Sequence, residues 1–247
     1  MSASLTDLTI DGCGIGTLTL RDANGKNALS VELVAELESR IDEVRARAEL
    51  KVLVMTGTDD YFCTGANRAV LQAIVAGRVA PGDLLLPRRL LDIPVPVIAA
   101  MAGHAIGGGL ALGICADITI AARESRYGAT FMRYGFTPGM GMTSLLEHAM
   151  GPPLAHELLL TGATYRGTRF ERHGAFTYVL PRSAVAAKAQ AIAAELAARP
   201  RTPLVLLKAA LSRRKRELFE RARTHERVMH DATFGTAEVA RLIEDLE

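Results

Sequence analysis

The stretch AMAGHAIGGGLALGICAD occupies residues 100–117 and contains three consecutive glycines, Gly107, Gly108 and Gly109. The glycines follow a run of small apolar residues and precede a helical pattern. A glycine in a helix costs about 1 kcal/mol relative to alanine, so three in succession indicate that another group approaches the backbone closely. The N–H groups at the start of a helix lack intrahelical partners and bind anions or polarised oxygens. This stretch therefore predicts a site for an oxygen atom where a strand meets a helix.

The patterns around this stretch predict the fold class. Residues 5–11 and 15–20 alternate around a glycine-rich turn, as the two arms of a hairpin do. Helical patterns follow, and Ser30 is the expected N-cap of the first. Short buried strands are predicted at residues 51–58, 95–103 and 116–122. Alternation of strands and helices favours a parallel sheet with crossover helices, which is an α/β fold.

The last quarter of the chain has helical patterns only, from about residue 183 onward. Separate helices are predicted at residues 183–199, 202–212, 216–233 and 236–247. We therefore expect an α/β core with the oxygen site over residues 1–182 and a helical region over residues 183–247.

Composition favours a folded protein of the cytoplasm. The 247 residues are 49% hydrophobic, which supports a substantial core and argues against general disorder. The apolar runs are too short to span a bilayer, and the N-terminus lacks a signal-peptide pattern, so no membrane association is expected. The three cysteines, Cys13, Cys63 and Cys115, form no CxxC motif. The sequence therefore predicts a reduced protein without a cysteine metal site.

Charge is distributed unevenly. The whole chain has a formal net charge of +2, but residues 201–230 contain nine Lys or Arg and three Glu, a net charge of +6. Such a segment either contacts an anionic partner or is a solvated helix face, and composition leaves both interpretations open. Nucleic-acid binding is not favoured, because Phe219 is the only aromatic residue within the basic run.

A second glycine-containing turn lies in YFCTGANRAV, residues 61–70. If the two turns converge, backbone N–H groups from both could bind one oxygen, which would form an oxyanion hole. Neither glycine run has the GxGxxG pattern or a following Walker-type lysine, so a nucleotide site is not predicted. From the glycines alone, close packing of a helix on a strand is an equally good interpretation.

Three motifs in this order and spacing, FCTGAN, GHAIGGGLALGICAD and FTPGMGMT, resemble the crotonase (enoyl-CoA hydratase/isomerase) superfamily. The resemblance implies a spiral of ββα repeats with a helical trimerisation region. It also implies a homotrimer or dimer of trimers and a thioester substrate. The two oxyanion donors implied by the resemblance are the N–H groups of Ala66 and Gly108.

Two positions depart from the hydratases of this superfamily. The glutamates of those enzymes correspond here to Ala111 and Phe131. Hydration needs carboxylates to position water and move its proton, so water addition is not expected. The oxyanion hole could still stabilise an enolate, and loss of CO2 forms an enolate without a general base. An apolar Phe131 would exclude water from it.

FCTGAN, RESRYGATFMRYGFTPGMG and ERVMHDATF more specifically resemble the decarboxylating enoyl-hydratase homologues of polyketide β-branching cassettes. This implies decarboxylation of a 3-methylglutaconyl-type thioester on an acyl carrier protein to a 3-methylcrotonyl-type product. No cofactor is implied beyond the phosphopantetheine, or CoA, that carries the acyl group.

The same resemblance implies a catalytic histidine, which is His230, and a catalytic lysine. That lysine is missing, because residues 66–92 contain none. The basic candidates there are Arg68 and Arg78, and we select Arg78. An arginine can orient a carboxylate but is a poor proton donor, so the proton is assigned to His230.

Several further residues have weaker assignments. Phe131, Tyr134 and Arg68 are expected to bind substrate, and Arg213, Arg214 and Arg216 to meet an acidic carrier protein or a pantetheine phosphate. His104 and Cys63 are expected to be structural. Two alternative functions remain. One is a CoA-thioester isomerase or decarboxylase of general metabolism, and the other is a non-catalytic trimeric scaffold or RNA-binding homologue.

Overall fold

The computed structural model describes residues 4–80 and 85–245. Its strands fall into two sheets. In chain order they are β1 (Thr6–Ile10), β2 (Ile15–Leu20), β3 (Val52–Thr56), β4 (Tyr61–Cys63), β5 (Val97–Met101), β6 (His104–Ile106), β7 (Ile118–Ala122), β8 (Arg126–Gly128), β9 (Thr164–Arg166) and β10 (Tyr178–Leu180). The larger sheet has the order β1-β2-β3-β5-β7-β10, and the smaller has the order β4-β6-β8-β9.

Helices cover the sheets and form the C-terminal region. They are α1 (Val31–Ala46), α2 (Arg68–Val75), α3 (Leu86–Leu91), α4 (Gly108–Cys115), α5 (Met142–Met150), α6 (Pro152–Thr161), α7 (Gly167–Phe170), α8 (Arg182–Ala197), α9 (Arg201–Thr233) and α10 (Ala237–Glu244). Short 3₁₀ turns occupy Thr130–Tyr134 and Glu171–His173.

Five of the six strands of the larger sheet were predicted from the sequence, and β10 was not. β1 and β2 form the antiparallel hairpin, and the remaining neighbours, from β2 to β10, pair in parallel. Crossover helices join the parallel strands, as such connections require. The predicted α/β class is confirmed.

Helix α1 begins where the sequence predicted. The Ser30 side chain accepts a hydrogen bond from the Leu33 N–H at 3.1 Å, which satisfies one of the unpaired donors of the first turn. Leu33, Leu37 and Ile41 are buried at a helical spacing. The helix therefore presents one apolar face to the core.

The C-terminal region differs from the prediction at one point. Residues predicted as two helices form the single helix α9, which has 33 residues and a length of about 50 Å. Pro200 and Pro203 lie at its start, where proline is compatible with a helix. Between residues 212 and 216 the chain contains charged residues with good helix propensity and no glycine or proline, so nothing interrupts the helix.

Helix α8 packs on one face of the larger sheet. Val185, Ala189 and Ala193 of α8 are buried in a cluster with Val54 and Ile98 of the sheet. The helical region predicted from residue 183 thus shares a core with the preceding part of the chain, and the division into two parts at that point stays a prediction. Among the described residues, no helix combines the length and apolarity needed to cross a membrane.

Candidate active site

The two glycine turns lie next to one another. β4 and β6 are parallel neighbours in the small sheet, so their carboxyl ends, which lead to Gly65 and Gly107, meet at one edge. Gly65 has a φ of +80° and Gly107 a φ of +53°, a region that favours glycine. A Cβ atom on Gly65 would lie 3.0 Å from the Gly108 nitrogen and 2.9 Å from the Ile106 oxygen. A side chain at Gly65 would therefore separate the two turns.

Ala66 and Gly108 line a common cavity. Gly108 is the first residue of α4, where a helix offers no carbonyl partner for the N–H. The turn at Gly65 is held in place by a hydrogen bond from the Leu29 N–H to the Gly65 carbonyl at 2.8 Å. The two turns therefore converge, as an oxyanion hole requires, and the assignment of Ala66 and Gly108 as its donors stays a prediction.

The cavity has a volume of about 590 Å³, and part of its wall is aromatic. The Phe136 and Phe234 rings stack with centroids 4.5 Å apart, and Phe131 meets Phe136 edge-on at 6.1 Å. Tyr134 stacks on the same Phe136 at 6.3 Å. This cluster contains the predicted substrate-binding residues Phe131 and Tyr134.

No Asp or Glu lines the cavity among the residues that the structure describes. At the two positions where the hydratases have carboxylates, Phe131 lines the wall and Ala111 is buried within α4. The arrangement can bind a developing oxyanion, but it offers no carboxylate to activate water. Nor do the described residues contain a group of three or more His, Cys, Asp or Glu suited to a metal ion.

His230 reaches the cavity from α9 and is almost completely buried. Its Nε2–H donates to the Thr137 carbonyl at 3.1 Å, and its buried Nδ1 has no partner among the described residues. A Cβ on Gly139 would lie 2.9 Å from the imidazole Cε1, so the PGMG turn needs a residue without a side chain at position 139 to accommodate the ring. Burial lowers the pKa of His230, and hydrogen bonding to the Thr137 and Pro138 backbone partly offsets this. The free site therefore favours a neutral ring whose buried Nδ1 has no hydrogen-bond partner among the described residues.

Glu226 lies one helical turn before His230 and was not predicted from the sequence. Its buried carboxylate accepts hydrogen bonds from the Gly141 N–H at 2.8 Å, the Thr143 N–H at 3.0 Å and the Thr143 hydroxyl at 2.9 Å. It therefore caps the N-terminus of α5, where negative charge is favourable. Burial raises its pKa, while these hydrogen bonds oppose the rise. In sequence it is a glutamate in a basic helix, which looks like a surface residue.

Cys63 and His104, which were both predicted to be structural, have different surroundings. Cys63 is fully buried, and burial raises the pKa of its thiol to about 12, so it carries no reactive thiolate. His104 lines the cavity, and its Nδ1 accepts a hydrogen bond from the Arg126 N–H at 3.0 Å. Desolvation lowers the pKa of His104, the charges of Arg182 and Arg126 lower it further, and the charge of Asp60 opposes them. His104 thus presents a neutral ring to the cavity.

Comparison with known proteins places this geometry in a family. The profile described as Enoyl-CoA hydratase/isomerase matches residues 11–245. Bacillaene synthase decarboxylase PksI of Bacillus subtilis (strain 168) is 40% identical over 246 residues, which are 100% of this chain and 99% of PksI. The chain belongs to the enoyl-CoA hydratase/isomerase family. The resemblance stated from the sequence motifs is confirmed.

Solved structures in the enoyl-CoA hydratase/isomerase family agree. One, described as part of a dehydratase/decarboxylase enzyme couple involved in polyketide beta-branching, has a TM-score of 0.95 and 40% identity. It covers 98% of this chain and 99% of its own. The ECH2 decarboxylase domain of CurF from Lyngbya majuscula has a TM-score of 0.90 and 35% identity, with the same coverage. The crotonase fold is therefore confirmed.

The predicted basic residues of this family member do not all reach the cavity. Arg68, the first residue of α2, lines it. Arg78 does not line it and is exposed in the turn after α2. The prediction that Arg78 orients a substrate carboxylate therefore has no support from the described geometry. The sequence could not show this, because the direction of a side chain beyond a helix end depends on tertiary packing.

The arginines of α9 also lie outside the cavity lining. Arg213 and Arg214 are exposed and approach Glu217 at 3.7 and 3.9 Å. Arg216 donates to the Ala209 carbonyl at 2.8 Å and approaches Asp92 at 3.6 Å. None of the three lines the cavity, so contact with an anionic partner through them stays a prediction.

Two lysines of the same basic segment have internal partners. Lys208 is buried, with its Nζ 2.7 Å from both carboxylate oxygens of Asp117. Lys215 donates to the carbonyls of Ile114 and Ala116 at 2.9 and 2.6 Å. These cations lie at the C-terminus of α4, where positive charge is favourable. Part of the +6 charge therefore holds in place the helix whose first N–H group faces the cavity.

Proposed function

We propose that this protein decarboxylates a 3-methylglutaconyl-type acyl thioester, held on an acyl carrier protein, to the 3-methylcrotonyl-type product during polyketide β-branching. One observation carries the proposal: Ala66 and Gly108, from the two glycine turns, line a cavity whose described lining has no carboxylate. The similarity to PksI and to the CurF domain, both named decarboxylases, supports it.

The reaction needs little from the protein besides electrostatic stabilisation. The electron pair of the bond to the carboxylate moves into the conjugated thioester as CO2 leaves, and the product is a dienolate with charge on the thioester oxygen. The Ala66 and Gly108 N–H groups would donate to that oxygen, and donors fixed in this way commonly account for more of the rate enhancement than any other effect. A proton then adds to the γ carbon and restores the α,β-unsaturated thioester.

His230 would supply that proton. Its Nε2–H is bound to the Thr137 carbonyl, so Nδ1 is the atom that would carry the transferable proton. Burial lowers the pKa of His230 in the free enzyme, but the negative charge of a bound substrate would favour the protonated ring. The conjugate acid of a histidine with a lowered pKa is a stronger proton donor.

The rest of the cavity would bind and shield the acyl group. Phe131 and its aromatic neighbours would exclude water from the dienolate, which protects it from side reactions. Arg68 and Tyr134 line the cavity and are the candidates to bind the substrate carboxylate or the arm that carries the acyl group. No cofactor beyond that arm is required by this chemistry.

We also propose that the enzyme assembles as a homotrimer or dimer of trimers and acts in the cytoplasm. Leu206, Leu207 and Leu211 on α9 are 66%, 57% and 67% exposed. Three large apolar side chains within two turns of one helix are typical of a surface covered by another chain. A second copy would cover them.

Mass spectrometry of the acyl carrier protein tests the proposed reaction. The 3-methylglutaconyl-loaded carrier is incubated with the enzyme, and we expect the acyl group to lose the mass of CO2. An unchanged acyl mass would contradict the proposal. Turnover of a CoA thioester with no turnover of the carrier-bound substrate would instead favour an enzyme of general metabolism.

A further inference from the structure

A row of polar side chains crosses the small sheet along one side of the cavity. Tyr61, His104, Arg126 and Thr164 come from its four strands, and all of them line the cavity. The Tyr61 and His104 rings meet edge-on at 5.7 Å, and the Arg126 N–H binds His104 Nδ1. The Arg126 guanidinium donates to the Thr164 hydroxyl at 3.1 Å and carbonyl at 2.9 Å. These contacts make the row continuous.

Two cations extend this row. The Lys26 carbonyl accepts a hydrogen bond from the Thr64 hydroxyl at 3.1 Å, which places Lys26 beside the end of β4. Arg133 packs on Gly162, two residues before β9, where a Cβ would lie 2.7 Å from the Arg133 Cγ. Lys26, Arg126 and Arg133 are exposed, and each lines the cavity. We call these three residues the cationic rim.

Nearby acids do little to cancel the charge of the cationic rim. The described lining of the cavity contains no Asp or Glu. Asp60, which precedes Tyr61, approaches Arg182 at 3.1 Å. The rim therefore presents a positive edge at the cavity, which attracts anions and raises their association rate.

An acyl group delivered on a phosphopantetheine arm constrains where its carrier can lie. The thioester must reach the Ala66 and Gly108 N–H groups inside the cavity. The phosphodiester at the other end of the arm stays attached to the carrier, so both must remain at the edge of the cavity. The exposed cations at that edge would bind the phosphodiester and the carrier.

We propose that the cationic rim is the docking surface for an acidic carrier protein. The proposal rests on the proposed function, because it takes a carrier-bound thioester as the substrate. It differs from the sequence prediction, which used charge density alone and selected Arg213, Arg214 and Arg216 on α9. Charge at the cavity edge can contact the arm and the carrier at once, whereas charge away from the cavity can contact only the carrier.

The test compares three charge-reversal variants. The rim variant Lys26→Glu/Arg133→Glu leaves the Arg126 hydrogen bonds in place. The α9 variant is Arg213→Glu/Arg214→Glu. The control Arg45→Glu/Arg172→Glu makes the same change in net charge at exposed residues that do not line the cavity. Each variant is assayed with the same acyl group on the carrier protein, on CoA and on pantetheine without phosphate.

For the rim variant we expect kcat/KM with the carrier-bound substrate to fall about tenfold or more at low salt. Turnover of the pantetheine substrate should stay within about twofold, and the defect should shrink as salt is added. The CoA thioester should lose less than the carrier-bound substrate. An equal loss with CoA would show recognition of phosphate alone and overturn the docking proposal, as would a larger loss in the α9 variant.

Affinity for the unloaded holo carrier protein, measured by titration calorimetry, provides a readout independent of catalysis. The rim variant should bind the carrier about tenfold more weakly than wild type and the control. Unchanged affinity would overturn the docking proposal. If wild type binds the carrier through the rim but decarboxylates none of the three substrates, the proposed function fails and the docking surface stands.

Discussion

Gly108 has no side chain, and its contribution to the site is a single N–H group. A Gly108→Pro variant removes that N–H at the first position of a helix, where proline is well tolerated. Loss of one oxyanion donor typically costs about 2.7–4 kcal/mol, so we expect kcat to fall about 100- to 1000-fold. Steady-state decarboxylation kinetics measure the change.

Gly108→Ala is the matched control for this prediction. Both variants introduce a Cβ, which would lie 2.8 Å from the Met140 sulfur and 3.0 Å from Leu29 Cδ1, and both side chains can shift. Only the alanine variant keeps the N–H. Similar kcat values for the two variants would reject Gly108 as an oxyanion donor.

If His230 is the proton donor, as proposed, the rate depends on pH. Only the protonated ring can give a proton to the dienolate, so activity should fall as pH rises through the pKa of His230. Burial lowers that pKa in the free enzyme, so kcat/KM should increase as pH falls below about 6.5. His230→Ala should impair product formation and abolish this limb of the pH profile.

Two other histidines provide controls for the His230 prediction. His148 also has a pKa lowered by burial, but it does not line the cavity, so His148→Ala should keep the pH profile of wild type. Full activity of His230→Ala, together with loss of activity in His104→Ala or Tyr134→Phe, would place the proton donor on another wall of the cavity.

Ala111 and Phe131 predict that the protein does not hydrate enoyl thioesters. Neither side chain can hold or activate a water molecule, and the described cavity lining offers no other carboxylate. We expect purified protein to show no measurable hydration of crotonyl-CoA in a spectrophotometric assay. Robust turnover there would show that water reaches the thioester by a route that this geometry does not provide.

At the scale of elements, α9 connects the two sides of the site. Lys215 binds the last carbonyls of α4, Glu226 caps the first turn of α5, and His230 binds the Thr137 carbonyl just before α5. These contacts lie on one continuous helix. The gap predicted at residues 213–215 would have left Lys215 outside the helix that contains Glu226 and His230, whereas the continuous α9 carries all three.

Replacement of Glu226 tests this connection. Glu226→Ala leaves the Gly141 and Thr143 N–H groups without their acceptor, and hydrogen bonds to charged groups contribute about 1.5–3 kcal/mol each. We expect the free energy of unfolding to fall by about 2–3 kcal/mol, with kcat lowered more than KM is changed, because His230 loses its fixed neighbour. Urea unfolding and steady-state kinetics measure these two effects.

Glu36→Ala is the control for Glu226→Ala. The Glu36 carboxylate likewise accepts hydrogen bonds from two consecutive backbone N–H groups, those of Leu5 and Thr6, and it does not line the cavity. The Glu36→Ala variant should be less stable than wild type, with kcat near the wild-type value. Glu226→Gln, which keeps one acceptor oxygen, should recover part of the lost kcat. Parallel losses of kcat in both alanine variants would reduce Glu226 to a purely structural role.

Elements with a long periodic pattern were predictable from the sequence, and short ones were not. Helix α1 and strands β1, β2, β3, β5 and β7 of the large sheet follow from hydrophobic spacing, whereas the three-residue strand β10 was not predicted. The small sheet was missed, because strands of three residues, such as Tyr61–Cys63, carry no usable periodicity. Glu226 was missed for a related reason, since its partners lie 83 and 85 residues away and only the fold brings them together.

At the scale of the whole molecule, α9 has an exposed apolar surface. Its inner face contributes to the site, while Leu206, Leu207 and Leu211 face outward. Burying a leucine side chain is worth about 1.5–3 kcal/mol, so an uncovered cluster of three would be a liability in a monomer. Closed ring assemblies bury the same surface on every subunit.

Leu206→Glu/Leu211→Glu should therefore convert a trimer into monomers, because two buried charges without partners would face each other across the interface. Size-exclusion chromatography with light scattering measures the mass of both proteins. Leu160→Glu is the control, because Leu160 on α6 is 74% exposed and lies apart from the α9 leucines. If wild type is a monomer, or if the double variant keeps the wild-type mass, the outward leucines of α9 do not hold the assembly together.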